Sequence, residues 1–424
     1  MERVKIPYSK RFLEVDIPKK NLIGILESKV NTYKQDKTQK EIIECALDNP
    51  IESNKLEDLV RGKKDMVIIT SDHTRPVPSR ITMPILLRRI RKVNPKIDIK
   101  ILIATGYHRG STREELIHKF GKDIVENEKI INHDSRNEKD LVKVGILPSG
   151  GELWLNKLAV ETELLIAEGF IEPHFFAGFS GGRKSVLPGV AGAQTVLANH
   201  CSEFIDSKYA RTGNLQNNPI HKDMLFAAEQ SNLAFILNVI LNEDKEVIHA
   251  VAGHSGKSHQ SGCDFLMELS KVDKKEADIV ITSNGGYPLD QNIYQSVKGM
   301  TAGEATCKEG GVIIIASACN DGHGGQSFYE NLANANSPDE VLDKVLEIPR
   351  NKTLPDQWEF QILARILSKY TVILVTDICD SEMIKSMHMQ HASSLNEALD
   401  MAFDLQGKDA KIAAIPDGVS VIVK

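Results

Sequence analysis

The chain has 424 residues, enough for two or three domains of about 150 residues each. Hydrophobic residues make up 41% and charged residues 26% of it, a globular composition that excludes collagen, coiled coil and a disordered chain. The 52 basic and 58 acidic residues give a formal charge of −6, which argues against a polybasic surface for nucleic acid or anionic membranes. These numbers favour a protein that acts on a small molecule.

The sequence has no apolar run near the roughly 20 residues that span a bilayer, and residues 1–20 lack the apolar core of a signal peptide. The six cysteines are scattered without a CxxC pair, which is typical of a reducing compartment and not of a zinc cluster or a disulfide scaffold. We therefore expect a cytoplasmic protein that contacts neither a membrane nor nucleic acid.

Short apolar runs alternate with helical patterns along the chain. A helix is predicted over residues 78–93, where the apolar residues share one face. Such alternation predicts an α/β protein of two domains, each with a largely parallel sheet flanked by helices. The runs predicted as strands are residues 66–70, 99–104, 164–167, 235–240, 278–282, 312–316 and 371–376.

The charged segment 271–277 precedes a new strand and marks the predicted boundary. Residues 1–270 would form an N-terminal domain that carries a glycine-rich loop, and residues 276–424 a second α/β domain. The predicted strands near Thr70 and Thr282 end in similar sequences, TSDH and TSNG. Open α/β sheets bind ligands at the carboxyl ends of their strands, so both ends are candidate sites.

The segment HFFAGFSGGRKSVLPG, residues 174–189, is the most unusual in the chain. Gly181 and Gly182, followed by Arg183 and Lys184, suggest a loop that holds an anion such as phosphate. The P-loop pattern fails here because Arg183 stands where its second glycine is required. A solvated glycine-rich loop remains open as an alternative. So does a serine hydrolase, since GFSGG matches GxSxG but lacks a continuous strand before it.

Other polar residues occupy predicted strand ends and helix faces. Asp72 and Arg75 follow the first of these strands, and either a ligand site or a helix cap would explain them. His73, His108, His174 and His200 lie at such ends or beside the glycine-rich loop, whereas His254 and His259 are expected in a polar loop. Tyr294, Gln295 and Lys298 are spaced to share one helix face, and Trp358 has packing as its default role.

Long, separated motifs follow one another in a fixed order along the chain: SDHTRPVPSR from Ser71, ATGYHRGSTREEL from Ala104, GFIEPHFFAGFSGGRKSVLPG from Gly169, ANH from Ala198, NGGYPLDQNIYQSVKGMTAGEAT from Asn284 and PDQW from Pro355. Through these motifs the whole chain resembles the nickel-dependent lactate racemase family. The resemblance implies an active site in the cleft between the two domains. It also implies a nickel pincer nucleotide, the pyridinium-3-thioamide-5-thiocarboxylic acid mononucleotide, made and loaded with nickel by other proteins.

The resemblance assigns roles to individual residues. Lys184 would be the covalent tether of the cofactor and His200 the single protein ligand of nickel. Asp72, Gly181, Gly182 and Arg183 would help to bind the nucleotide, and His108 and His174 would be the acid/base pair. The substrate would be held by Arg75, Tyr294, Gln295, Lys298 and Trp358.

The implied reaction is the racemisation of D- and L-lactate by hydride transfer. Removing the carbon-bound hydrogen as a proton would place a second negative charge beside the carboxylate, whereas hydride removal avoids this. The hydroxyl proton must be handled in two substrate orientations, which accounts for two histidines. Two alternatives stay open: a racemase or epimerase of another 2-hydroxy acid with the same cofactor, and a nucleotide-binding protein without catalysis.

Overall fold

The structure is a computed structural model that describes all residues, 1–424. Its twenty strands are β1 (Glu2–Tyr8), β2 (Arg11–Ile17), β3 (Leu22–Ile25), β4 (Asp65–Ser71), β5 (Asp98–Ala104), β6 (Lys129–Asn132), β7 (Leu141–Ile146), β8 (Glu152–Asn156), β9 (Leu165–Phe170), β10 (Pro173–His174), β11 (Gly178–Phe179), β12 (Leu233–Leu241), β13 (Val247–Gly253), β14 (Lys271–Val272), β15 (Ala277–Ser283), β16 (Cys307–Ala316), β17 (Thr371–Val375), β18 (Gln390–Ala392), β19 (Ile412–Ile415) and β20 (Ile422–Val423).

The sixteen α-helices lie between these strands. They are α1 (Gln39–Asp48), α2 (Leu56–Leu59), α3 (Ser79–Val93), α4 (Arg113–Phe120), α5 (Lys122–Asn127), α6 (Lys157–Glu161), α7 (Ala193–Asn199), α8 (Ser202–Asp206), α9 (Pro219–Gln230), α10 (Ser255–Ser270), α11 (Ile293–Thr306), α12 (Gln326–Ala333), α13 (Pro338–Leu346), α14 (Gln357–Leu367), α15 (Ser381–Ser386) and α16 (Leu395–Gln406). Four single 3₁₀ turns complete the elements: Val30–Thr32, Glu138–Asp140, Gly182–Ser185 and Arg350–Lys352.

The chain divides into two compact units. The N-terminal unit contains Val30–Asn199 and Tyr209–Leu269, and the C-terminal unit contains Met1–Lys29, His200–Lys208 and Ser270–Lys424. The sequence places a single division at residues 270–276 and does not predict that the first 29 residues and residues 200–208 belong with the C-terminal unit.

The N-terminal unit contains a six-stranded sheet in the order β13-β12-β9-β4-β5-β6. All its neighbours are parallel except β12 and β13. Its central strands, β4 and β9, are buried along nearly their whole length and are mostly apolar, as expected for parallel strands covered on both faces. The main core lies between the sheet and helices such as α1 and α3, and it includes Ile43, Leu86 and Ile101.

The C-terminal unit contains a wholly parallel six-stranded sheet in the order β18-β17-β16-β15-β19-β3. Strand β3 extends the sheet by pairing with β19, at Leu22 opposite Ile412. The antiparallel hairpin of β1 and β2 buries Val4 and Ile6 against residues of β15 such as Ile281. These contacts explain why the first residues of the chain belong to this unit.

The predicted fold class is confirmed: both units are α/β, with parallel sheets flanked by helices. All seven predicted strands overlap observed ones, and the helix predicted over residues 78–93 is α3. One local prediction is wrong: His259 lies in α10 and is buried, not in a polar loop. The segment that begins at Pro173 is the short hairpin of β10 and β11.

Candidate active site

The N-terminal unit brings its predicted polar residues to one edge of its sheet. From β4 the chain adds β5 and β6 on one side and β9 and β12 on the other, so the strand order reverses between β4 and β9. In open α/β sheets ligands bind at the carboxyl ends of the strands at such a point. The loops that follow β5 and β9 meet there, since the Gly106 amide donates to the Gly189 carbonyl at 3.0 Å.

Asp72 and His108 form a hydrogen-bonded pair at this edge. Asp72 follows β4, His108 follows β5, and His108 Nδ1 lies 2.8 Å from Asp72 Oδ2. The other carboxylate oxygen, Oδ1, accepts from the Thr74 amide at 3.0 Å and from the Thr74 hydroxyl at 2.6 Å. Burial raises the pKa of Asp72, but the hydrogen bonds from His108 and Thr74 outweigh it and lower the pKa to about 2. Asp72 is therefore ionised at neutral pH.

His174 and Lys184 are neighbours in the segment that follows β9. His174 Nε2 lies 3.4 Å from Lys184 Nζ, and His174 Nδ1 accepts from the Ala177 amide at 3.3 Å. The imidazole stacks on the Phe175 ring at 5.1 Å and meets the edge of the Phe176 ring at 4.5 Å. The Phe175 and Phe176 rings thus pack against the His174 imidazole, which lies beside the primary amine of Lys184.

Arg183 points into the protein and not toward a ligand. Its guanidinium is 1% exposed and donates to the Ala177 and Phe179 carbonyls, both at 2.8 Å, and to His221 Nδ1 at 3.0 Å. His259 Nε2 lies 2.9 Å away. Burial and the Arg183 charge together lower the pKa of His221 to about 3, so this imidazole is a neutral acceptor. Any contact of Arg183 with a cofactor would have to come from its backbone.

Gly181 and Gly182 are required by the protein's own packing. Both have positive φ angles, 78° and 52°, which L side chains rarely adopt. A Cβ on Gly181 would lie 2.7 Å from Asn238 Oδ1, and one on Gly182 would lie 2.8 Å from the His259 ring. Because these two residues lack side chains, the buried side chains of Arg183 and Asn238 can pack against the loop and hydrogen-bond to its backbone. Lys184 is the next residue after Arg183.

Glu168 is a buried polar residue at the same end of the sheet that sequence reasoning missed. This carboxylate in β9 accepts hydrogen bonds from the hydroxyls of Thr70, Ser79 and Thr82 at 2.7, 2.5 and 2.5 Å. Thr70 precedes the loop that carries Asp72 and Arg75, and Ser79 follows it, so Glu168 fixes both ends of that loop. The sequence signal was a glutamate inside an otherwise apolar strand.

Arg75 and His73 differ in how the protein uses them. Arg75 is exposed, and its guanidinium donates to the Thr74 hydroxyl at 3.3 Å. His73 instead lies between Ser111 Oγ at 3.2 Å and Glu115 Oε1 at 3.3 Å. Arg75 thus offers an exposed cation at the strand end, while His73 stabilises the local loop structure.

The C-terminal unit has its own reversal of strand order, between β15 and β19. Helix α11 begins after this point because the Asn292 side chain accepts from the Gln295 amide and caps the helix. Lys298 Nζ donates to Gln295 Oε1 at 2.6 Å, one turn apart, and Tyr294 donates from its hydroxyl to Asp356 at 3.2 Å. The predicted helical grouping of these three residues is confirmed.

Helix α14 contributes Trp358 and a buried carboxyl that sequence reasoning missed. Glu359 is 1% exposed, and its Oε1 has no hydrogen-bond partner. Burial raises the pKa of Glu359 to about 8, against the opposing charge of Lys298. Burial and the Glu359 and Asp356 charges also hold the pKa of Tyr294 well above its usual value. The signal for Glu359 was a charged residue within a helix whose other residues are mostly apolar.

His200 begins the short segment that belongs with the C-terminal unit. Its imidazole is 4% exposed and meets the Trp358 ring edge-on, with the ring centroids 5.1 Å apart. The next residues are fixed to α14, because Gln361 donates to the Ser202 carbonyl at 2.9 Å and Arg365 donates to the Ile205 carbonyl at 3.4 Å. The position of His200 therefore depends on polar side chains in α14.

The two sets of residues offer complementary chemistry. The N-terminal unit presents two imidazoles, a primary amine and an exposed guanidinium, which are groups suited to proton transfer, covalent attachment and carboxylate binding. The C-terminal unit presents an ammonium, an amide, a phenol and an indole. No group of three or more His, Cys, Asp or Glu side chains anywhere in the chain is arranged to hold a metal ion.

Comparison with known families matches nearly the whole chain in two parts. Residues 8–213 match the lactate racemase N-terminal domain, and residues 272–423 match the lactate racemase C-terminal domain. The chain belongs to the lactate racemase family. This membership confirms the family predicted from the motifs.

Individual members of the family are similar over their full lengths. The lactate racemase of Thermoanaerobacterium thermosaccharolyticum is 59% identical and that of Lactiplantibacillus plantarum is 56% identical, each over 100% of both chains. The solved apoprotein structure of the former superposes with a TM-score of 0.97 over 100% of both chains. A Thermotoga maritima protein, 20% identical over 91% of this chain and 98% of its own, shares the fold with a TM-score of 0.67.

The lactate racemase family fixes the general class of the chain. It is an isomerase, a racemase that acts on a small molecule, and its family implies dependence on nickel. None of its helices combines the length and the apolar character needed to cross a membrane.

Proposed function

We propose that the chain interconverts D- and L-lactate by hydride removal and return, with His108 and His174 as acid/base groups and with a nickel pincer nucleotide tethered to Lys184. The observation that carries the proposal is the placement of His174 Nε2 3.4 Å from Lys184 Nζ. This distance puts a proton-transfer group beside the amine to which the cofactor would be attached. A plain nucleotide-binding protein would need neither group.

The residues present fit this cofactor. Lys184 supplies a primary amine that can form an amide-type bond, and the Phe176 ring lies 5.8 Å from its Nζ. His200 supplies one imidazole donor, so the remaining donors must come from the cofactor itself. When bound, the cofactor supplies an acceptor for the hydride of the substrate carbon. We expect other proteins to make the nucleotide and to insert the nickel, and these proteins are the expected partners.

The nucleotide part would lie along the loops of the N-terminal unit. Gly181, Gly182 and the backbone of Arg183 line the loop that precedes Lys184. Asp72 lies at the neighbouring strand end, where a carboxylate oxygen can also accept from a ribose hydroxyl. Cofactor binding by these four residues and the cytoplasmic location of the chain remain predictions.

The histidines move the hydroxyl proton. For one enantiomer an imidazole takes the proton from the lactate hydroxyl while the carbon-bound hydrogen leaves as hydride, which gives enzyme-bound pyruvate. After the bound pyruvate rotates to present its other face, hydride returns to that face, and the second imidazole, which is protonated at this stage, gives its proton to the oxygen. The first imidazole is then protonated and the second is neutral, so the pair is ready for the reverse reaction. One of the two groups, His108 or His174, serves each orientation.

The substrate carboxylate would be held by fixed cations. Arg75 offers an exposed guanidinium that can bind a carboxylate through two parallel hydrogen bonds. Lys298 offers an ammonium oriented by Gln295, while Tyr294 and Trp358 complete the polar and aromatic surroundings. Because the carboxylate is held, the bound pyruvate can rotate to present its other face without leaving the site.

The test uses protein co-produced with the proteins that make the cofactor. Intact-mass and nickel analysis of Lys184→Ala should show no covalent adduct, whereas the exposed-lysine control Lys222→Ala should keep the full adduct. His200→Ala should lose nickel. An adduct of full mass on Lys184→Ala would overturn the tether, and undiminished nickel in His200→Ala would overturn the ligand assignment.

A substrate panel separates the first alternative. Loaded protein that racemises lactate supports the proposal. Cofactor-loaded protein that is inert on lactate but interconverts the enantiomers of another 2-hydroxy acid would support that alternative. In it the cofactor is the same and the residues lining the substrate pocket differ.

A further inference from the structure

We propose that Asp72 is the positioning residue of His108: it accepts the Nδ1 proton of this imidazole and thereby presents Nε2 to the substrate as a bare base. This inference rests on the proposed function, in which His108 exchanges the hydroxyl proton. It gives Asp72 a role distinct from binding the nucleotide.

The contact itself dictates the tautomer. His108 Nδ1 lies 2.8 Å from Asp72 Oδ2, and an ionised carboxylate can only accept a hydrogen bond. The shared hydrogen therefore belongs to Nδ1. A neutral imidazole carries one N–H, so Nε2 holds a lone pair and can accept a proton. The low pKa of Asp72, about 2, agrees with a carboxylate that stays ionised.

The pair combines a rigid anchor with an accessible base. The Asp72 side chain is 3% exposed and the His108 side chain 48% exposed. Asp72 is fixed from its other side, since Oδ1 receives the amide and hydroxyl hydrogen bonds of Thr74. Arg75 and Lys119 add positive charge around the carboxylate. His108 can therefore keep one orientation while its free edge faces outward.

The same arrangement supports the charged form during the reaction. When the lactate hydroxyl gives its proton to Nε2, the Nδ1 proton stays in place and the imidazole becomes a cation. The Asp72 carboxylate, 2.8 Å away, then pairs with that cation without taking up a proton itself. When the reaction runs in the opposite direction, Nε2 gives its proton to the substrate oxygen and the imidazole becomes neutral again.

His174 has different surroundings. Its Nδ1 accepts from the Ala177 amide, and its Nε2 lies beside Lys184 Nζ. These contacts are with an amide and an amine, whereas the Nδ1 contact of His108 is with a carboxylate.

The first test reads the tautomer in the unloaded full chain. Long-range ¹H–¹⁵N spectra of ¹⁵N-histidine protein at about pH 8.5, where a free imidazole is neutral, distinguish Nδ1–H from Nε2–H. The His108 signals are assigned by their loss in His108→Gln. We expect Nδ1–H for His108 in the wild type and a shift toward Nε2–H in Asp72→Asn, because the new amide can donate to Nδ1. Asp123→Asn, an exposed aspartate in α5, is the matched control and should leave the His108 signals unchanged.

The second test uses loaded enzyme. If Asp72 positions His108, Asp72→Asn should lower kcat by about 10⁴-fold while the covalent adduct and the nickel content remain. KM for lactate should change far less, and Asp72→Glu should recover part of kcat. An Nε2–H tautomer in the wild type, or an unchanged His108 tautomer with loss of adduct in Asp72→Asn, would overturn the inference. The spectra of the unloaded chain do not depend on lactate turnover, so failure of the proposed function would be recognised separately.

Discussion

Replacing Arg183 by methionine should destabilise the N-terminal unit strongly. Arg183 is a buried cation without a paired carboxylate, and three of its hydrogen bonds are 3.0 Å or shorter. Each acceptor left unpaired costs about 1 to 3 kcal/mol. Removal of the buried charge offsets part of this sum. We expect the free energy of unfolding of the unit to fall by about 4 kcal/mol.

The two tryptophans allow this loss to be measured in one unit. Trp154 lies in the N-terminal unit and Trp358 in the C-terminal unit. In a Trp358→Phe background, urea unfolding followed by fluorescence therefore reports on Trp154 alone. Arg61→Met is the control, because the Arg61 side chain is 67% exposed and its ion pair is long, 3.6 Å. The control should change stability by less than about 0.5 kcal/mol. A loss below about 1 kcal/mol for Arg183→Met would refute the view that this guanidinium holds the loop.

Three further predictions use the same fluorescence assay. Gly182→Ala should cost about 3 kcal/mol, since its Cβ would meet the His259 ring, whereas Gly150→Ala, with open space around its Cβ, should cost about 1 kcal/mol; equal losses would contradict the packing argument. Glu168→Gln should cost about 2 kcal/mol, because an amide cannot accept from all three hydroxyls, and unchanged stability would be inconsistent with that network. The depressed pKa of Asp72 contributes stability that is present above the unfolded pKa of 3.8 and is lost as the pH falls toward 2. The Asp72 carboxylate should therefore add about 2 kcal/mol to the free energy of unfolding of the wild type at pH 6 and about half of that at pH 3. A contribution that does not depend on pH would contradict the assignment.

The sheets were predictable from the sequence because parallel strands are buried on both faces. Continuous apolar runs such as residues 66–70 and 278–282 therefore stand out without any knowledge of their partners. The membership of β3 in the C-terminal sheet was not predictable in the same way. Its partner β19 lies about 390 residues away, at Ile412 opposite Leu22, and no local pattern reports such a pairing.

The site was predictable to the extent that its motifs are local. The segment with Lys184 and the loops with Asp72 and His108 follow predicted strands, so their common edge could be expected. The orientation of the Arg183 side chain could not be predicted from the sequence. Its partners His221 and His259 are 38 and 76 residues distant, and the Gly-Gly-Arg-Lys sequence alone fits an anion loop equally well. Glu168 and Glu359 gave a weaker signal, a single charge in an apolar element.

The central claim is that the carbon-bound hydrogen of lactate leaves and returns as hydride without exchange with water. The most direct measurement incubates loaded enzyme with L-lactate deuterated at carbon 2 in ordinary water, then isolates D-lactate and determines its deuterium content by mass spectrometry. We predict that the D-lactate keeps its deuterium. D-lactate in which solvent hydrogen has replaced the deuterium would show that the hydrogen leaves as a proton, and it would contradict the account.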